Sequence, residues 1–136
     1  MARQKALQAL YQWLLAGESA AAIKAQFLVA MDPKKIDRDY FSELVDGVIS
    51  QAPDLDESIA PFAHIAVAQL DPIELCTLRL ACYELTHRIE VPYKVVLNEA
   101  LELNKAFGAT DAHKFINGVL DQLAKQLRPV ETAQRG

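Results

Sequence analysis

Apolar residues in this chain recur at helical spacing from end to end, and no stretch alternates apolar with polar residues as a half-buried strand would. The pattern is densest from Leu78 to Leu123. There LRLACYEL, VPYKVVLNEALELNKAFG and HKFINGVLDQL follow one another across short polar breaks. A helical period with no strand period leaves helix packed on helix as the way to bury these faces, so the expected fold class is all-α.

Helix starts and stops can be placed from residue chemistry. Leu7, Leu10, Tyr11 and Leu14 form one buried face, Gly17 closes that helix, and Ser19 caps a second running to about Ala30. Asp32-Pro33 breaks the chain, and Asp37 caps a third helix carrying Phe41, Leu44, Val45 and Val48. Pro53 is expected to end it, with a short fourth helix from Asp54 to about Phe62. Asp71-Pro72-Ile73-Glu74 starts a fifth: Asp71 caps, Pro72 takes the first position and Glu74 can return to the cap. This helix is apolar nearly all round as far as His87, which marks it as the central one. Pro92 opens a sixth helix and Gly108 stops it. Thr110 or Asp111 caps a seventh, with Ile116, Val119, Leu120, Leu123 and Leu127 as its core stripe. After Pro129 a polar, frayed tail is expected.

Composition narrows the function. With 136 residues, 51% of them apolar, the chain suits one domain or two small helical subdomains sharing a core. A net charge of −4 excludes a protein that binds nucleic acid with a uniformly basic surface. Charge is uneven, however: residues 1–30 hold three bases and one acid, and residues 31–70 three bases and eight acids. Such a division suits two partners of opposite charge. Cys76 and Cys82 point ~240° apart on one helix at ~100° per residue and cannot bridge within it, so a reduced cytoplasmic chain is expected. Gln8 and Gln12 interrupt the apolar start, which argues against a signal peptide, and no window is apolar enough to span a bilayer.

Catalysis and metal binding find little support. His64, His87 and His113 are scattered, and none lies three or four residues from another His or Cys on one helix. No phosphate-binding glycine loop or nucleophile elbow occurs, so no catalytic residue, metal or cofactor is expected. Arg79 falls inside the apolar surround of the fifth helix and must be paired, with Glu99 or Glu84 as the expected partner. Asn98 and Asn117 are expected to tie helices together. Phe115 lies ~95° from the core stripe of its helix, at the rim, with Asp111, Lys114 and Gly118 on its outward side. That arrangement fits a partly buried core Phe, the reading that composition alone favours, and also a base-stacking aromatic beside a phosphate-binding lysine. On the first helix Arg3, Leu7 and Tyr11 share one stripe, again a base and an aromatic together.

The phrases quoted above, in that order after ALQALYQW at Ala6 to Trp13, resemble the NusB family of bacterial transcription antitermination factors. The resemblance covers roughly Arg3 to Arg128. It implies two small helical bundles packed as one unit, residues 1–68 and 69–130, with a flexible tail at 131–136. It also implies binding of boxA-like single-stranded RNA together with the NusE ribosomal protein, within the RNA polymerase antitermination complex of ribosomal RNA operons. By the same resemblance Arg3, Lys5, Tyr11, Phe107, Asp111, Lys114 and Phe115 face RNA, and Phe62 and Glu74 face the protein partner. Asp111 would then restrain RNA affinity by repelling phosphate. The arginine-rich stretch that usually precedes the first helix is here shortened to Met1-Ala2-Arg3, which removes phosphate contacts. The free protein is expected as a monomer or weak homodimer. Two other readings are a NusB-like domain of an rRNA cytosine methyltransferase and a helical dimerisation protein without RNA function. The polar end at Gly136, with no following α/β domain, argues against the first.

Overall fold

The computed structural model describes residues 1–133. These form α1 (Ala2–Ala16), α2 (Ala20–Val29), α3 (Arg38–Ala63), α4 (Pro72–His87), α5 (Tyr93–Phe107), α6 (His113–Leu127) and α7 (Pro129–Ala133). Short 3-10 turns at Val67–Gln69 and Thr110–Ala112 link them, and no strand occurs among the described residues. The fold is all-α.

Local chemistry sets several of the helix ends. Gly17 closes α1 at φ 71°, a left-handed conformation that glycine adopts without a Cβ clash, and its N–H donates to the Trp13 carbonyl. Ser19 Oγ accepts from Ala22 N at 3.1 Å, and Asp37 from Tyr40 N at 3.0 Å. Asp71 accepts from Ile73 N at 2.9 Å ahead of Pro72 in the first position of α4. Glu74 adds no return hydrogen bond among the described residues, so Asp71 alone forms the cap. Neither does Asp111 cap α6: the 3-10 turn runs straight into that helix, and Ala112 occupies the cap position with helical backbone angles.

Pro53 does not end a helix. The third and fourth expected helices are one, the 26-residue α3, with Pro53 and Pro61 inside it. Phe41, Leu44, Val45, Val48, Ala52, Leu55, Ile59 and Ala63 make an unbroken buried stripe. Pro53 itself is exposed, so the backbone hydrogen bond it deletes lies where water can replace it. Continuous packing outweighs the local break.

Every residue from Leu75 to Leu85 of α4 is buried, and α1, α3, α5 and α6 all pack against this helix. One continuous apolar core results, running across both sides of the Val67–Gln69 turn. Arg79 sits in this core and pairs with Asp56, through Nε at 2.8 Å and Nη2 at 2.7 Å. Neither Glu99 nor Glu84 is its partner. Because α3 continues past Pro53, its C-terminal half reaches α4 and places Asp56 opposite Arg79. Asn98 and Asn117 are exposed; the buried asparagine is Asn104.

The start of the expected tail is helical and tied down. Arg128 donates to the carbonyls of Leu85 at 2.8 Å and of Arg88 and Val91 at 3.0 Å, satisfying acceptors at and beyond the end of α4. It also pairs with Glu131 at 2.6 Å, and Glu131 in turn accepts from Tyr93 N at the start of α5. Those two interactions hold the Glu131 carboxyl below its ordinary value, the Tyr93 N–H most of all. Residues 134–136, the rest of that tail, lie outside the described residues.

Arg79→Ala leaves Asp56 without its partner, but Asp56 is 27% exposed and water relieves part of the penalty. The expected loss is about 2–3 kcal/mol, below the range for a fully buried pair. Urea unfolding of Arg79→Ala, Asp56→Ala and the double variant checks this, because the pair predicts a large coupling energy. Additive losses would mean the two side chains are stabilised independently.

Candidate nucleic-acid interface

The N-terminal end of α1 is built around a buried carboxylate. Glu84 of α4 is 2% exposed and accepts two hydrogen bonds from Arg3, from Nε and Nη2, both at 2.8 Å. The Tyr40 hydroxyl of α3 donates to the same carboxylate. Both Arg3 and Arg88 lie over the Tyr40 ring, 5.5 and 4.6 Å from its centroid. The hydrogen-bonded Glu84 raises the Arg3 pKa further, against the lowering effect of burial. Burial, and then Glu84, push the Tyr40 phenol up. Arg3 is therefore engaged inside the protein, which corrects the expectation of a guanidinium free to meet phosphate. Signs of this were present in the sequence, since Glu84 stands in the most apolar run of the chain and a carboxylate there requires a cation.

Lys5 and Tyr11 remain at the surface of α1. Lys5 is half-buried beside Phe27 and Met31, and Tyr11 is 37% exposed. Phe107, the last residue of α5, is exposed to the same degree. The turn after it needs glycine for space: a Cβ on Gly108 would stand 2.3 Å from Asn104 Oδ1.

A groove of about 620 Å³ separates the end of α3 from the outer side of α6. Phe62, Phe115 and Val119 supply its apolar lining, and Lys114, His64, Gly118 and Gln122 complete it. Phe115 and Phe62 are half-buried and pack on the core with part of each ring uncovered, so an anchoring role and a contact role coexist in each. Phe62, grouped with Glu74 by resemblance, thus shares a groove with Phe115 and Lys114. His64 and Gln122 escaped the sequence reading, since residues on separate helices meet only through the packing of α3 on α6.

Glu74, Asp71 and Asp111 form an acidic corner where α4 begins. Partial burial raises the Glu74 pKa first, and the neighbouring Asp71 and Asp111 carboxylates add to the shift. A cation placed there would relieve that repulsion. Asp111, expected on the RNA side, is therefore electrostatically joined to the residue expected on the partner side. A depression of about 760 Å³ at the α2–α3 turn carries Lys34, Lys35 and Arg38, offset by Asp37 and Asp39. Cys76 and Cys82 are buried, and burial pushes their thiols up to about 12 and about 11, so they are unreactive. Among the described residues no group of three or more side chains could hold a metal ion, and no helix is long and apolar enough to cross a membrane.

Fold and surface together define an all-helical binding module, with an aromatic groove beside a lysine and a separate acidic corner. The family model described as "NusB family" matches residues 1–125, and the chain belongs to the NusB family. The transcription antitermination protein NusB of Hahella chejuensis is 52% identical over 132 residues, covering 97% of this chain and 89% of that relative. NusB of Idiomarina loihiensis is also 52% identical, over 128 residues, covering 94% and 92%. Among solved structures, T. maritima NusB superposes with a TM-score of 0.80 at 25% identity, covering 92% of this chain and 89% of that one. A crystal structure of the antitermination factors NusB and NusE in complex with dsRNA gives a TM-score of 0.77 at 28% identity, covering 92% and 94%.

Arg3→Ala strands a buried carboxylate with only Tyr40 to satisfy it, so we expect a stability loss of about 2–4 kcal/mol. Chemical denaturation measures it, with Arg3→Lys as a partial rescue that keeps the charge and loses the fork. Wild-type stability in Arg3→Ala would return Arg3 to the surface.

Proposed function

We propose that this protein is a transcription antitermination factor that binds boxA-like single-stranded RNA jointly with a NusE-type ribosomal protein. The two would act within the RNA polymerase antitermination complex on ribosomal RNA operons, in the cytoplasm. The observation that carries the reading is the family relationship, which extends over residues 1–125 and so includes both the aromatic groove and the acidic corner. A protein of closely similar fold has been solved with NusE in complex with dsRNA, which supports joint RNA and partner binding.

The chemistry is binding, with no covalent step. Tyr11, Phe107 and Phe115 present uncovered ring surface to unpaired bases, which stack on aromatic faces whatever their sequence. Lys5 and Lys114 meet phosphates, and Asp111 holds affinity down by repelling them. With Arg3 engaged by Glu84 and a net charge of −4, this surface offers few phosphate contacts of its own. A basic partner docked on Glu74 and its acidic neighbours adds positive charge beside the RNA path. That raises the joint affinity above that of either protein alone.

RNA binding measured with and without the NusE-type partner, at two salt concentrations, tests the reading. Phe115→Ala and Tyr11→Ala should each weaken RNA binding by about 1–3 kcal/mol while leaving partner binding intact. Unchanged RNA affinity in both folded variants would move the RNA path off this surface. Glu74→Lys should weaken the protein complex without weakening RNA binding by the free chain, because it sets like charge against a basic partner and removes a negative charge beside Asp111. Glu74→Gln controls for effects on the start of the helix. Equal partner affinity in wild type and Glu74→Lys would remove the acidic corner from that interface.

A further inference from the structure

Helix α2 is apolar on every side and yet lies at the surface. Lys24 and Gln26 are its only polar residues. A helix that is apolar all round is ordinarily enclosed, as α4 is. Here α2 packs chiefly on α1 and α3, and Ile23 is its one buried residue. Ala21, Ala25, Leu28 and Val29 lie ~140–240° round the helix from Ile23 at ~100° per residue, on the outward side. Leu28 is half-buried, and Val29 is 89% exposed, the most of any large apolar side chain among the described residues. Leu15 of α1 is 58% exposed and borders this face, since it lies ~60° round from Gln12, which donates to Gln26 of α2.

Charge frames the face without entering it. Lys24, the one charge of α2, is turned to Asp46 of α3 at 2.6 Å. Glu18 precedes the helix, exposed and with no cation partner among the described residues. Lys34 and Lys35 follow it, also exposed and with no carboxylate partner among the described residues. Asp32 in the same turn is engaged by the Lys34 N–H. A face that is neutral along its length, acidic before one end and net basic beyond the other is complementary to itself turned end for end.

We propose that α2 is the contact between two copies of this chain. The copies cross antiparallel about a two-fold axis at Ala25. Ala21 of each then packs on Val29 of the other, and Glu18 of each approaches Lys34 and Lys35 of the other. Alanine at the axis suits a close approach of the two helices. The ten residues of α2 span ~15 Å, so even with Leu15 the contact stays below the ~1,200 Å² buried in stable complexes. The dimer is therefore weak and reversible. Neither the groove between α3 and α6 nor the acidic corner includes a residue of α2, so both stay open in it. A lipid surface fits this face less well, because the chain is acidic and the one cation of α2 is already paired.

Sedimentation equilibrium of the full chain over a wide range of concentration tests this. Wild type should pass from the mass of one chain to that of two as concentration rises. Ala25→Glu sets two like charges at the axis and should weaken the dimer about tenfold or more. Ala25 is exposed and glutamate is a good helix former, so thermal unfolding of that variant should stay near wild type. Glu18→Lys should weaken the dimer severalfold. Adding Lys34→Glu and Lys35→Glu to it should restore the dimer, because the exchange rebuilds the pairs of the antiparallel arrangement. Ala25→Cys should give a disulfide-linked dimer under mild oxidation, since Cys76 and Cys82 are buried. A boxA-like single-stranded RNA should leave the dimer intact. A wild type that stays monomeric throughout, or a dimer indifferent to Ala25→Glu or to the charge exchange, would overturn the proposal. So would a dimer that RNA dissociates, because the copies would then meet through the RNA-facing surface.

Discussion

The structure depends on covering α4 from all sides. Its residues from Leu75 to Leu85 are buried without interruption, so no face is left for solvent. Each large aliphatic side chain removed from water contributes about 1.5–3 kcal/mol, and that gain draws α1, α3, α5 and α6 around one axis. Two charges interrupt this buried stretch, Arg79 and Glu84, pointing about 140° apart at ~100° per residue. Asp56 of α3 meets the first, and Arg3 of α1 with Tyr40 of α3 meets the second. Apolar burial explains why the helices gather, and these two ion pairs restrict which helix lies on which side.

That core has a consequence at the surface. Glu84 engages Arg3 inside the protein and so withdraws it from the RNA path proposed above. What remains outward is an aromatic and lysine surface around α6 and the outer side of α1, with an acidic corner at the start of α4. A surface of this kind gains more from base stacking and from a basic partner than from its own phosphate contacts.

Several elements were legible before the coordinates because their causes are local. Ser19, Asp37 and Asp71 cap helices through their own side chains, and Gly17 closes α1 because the αL turn favours a residue without Cβ. The all-round apolar character of α4 announced its central place. Reading failed where a distant contact overruled a local rule. Pro53 stays helical because the α3 stripe packs on both sides of it, and Arg128 and Glu131 order a segment whose composition suggested fraying. For the same reason Arg79 pairs with Asp56 and not with Glu84 or Glu99, since Asp56 reaches α4 only because α3 continues.

By itself the sequence determined the helical class, most helix ends, the central helix and the family. All of these follow from side-chain periodicity, caps and ordered phrases that operate over one or a few turns. Tertiary structure alone decided the pairings: Arg3 with Glu84, Arg79 with Asp56, and Phe62 with Phe115, Lys114 and Gln122 around one groove. The physical reason is that a charge or a ring declares its need for company within its own helix. Which residue supplies that company depends on how whole helices pack, and no spacing along the chain records it.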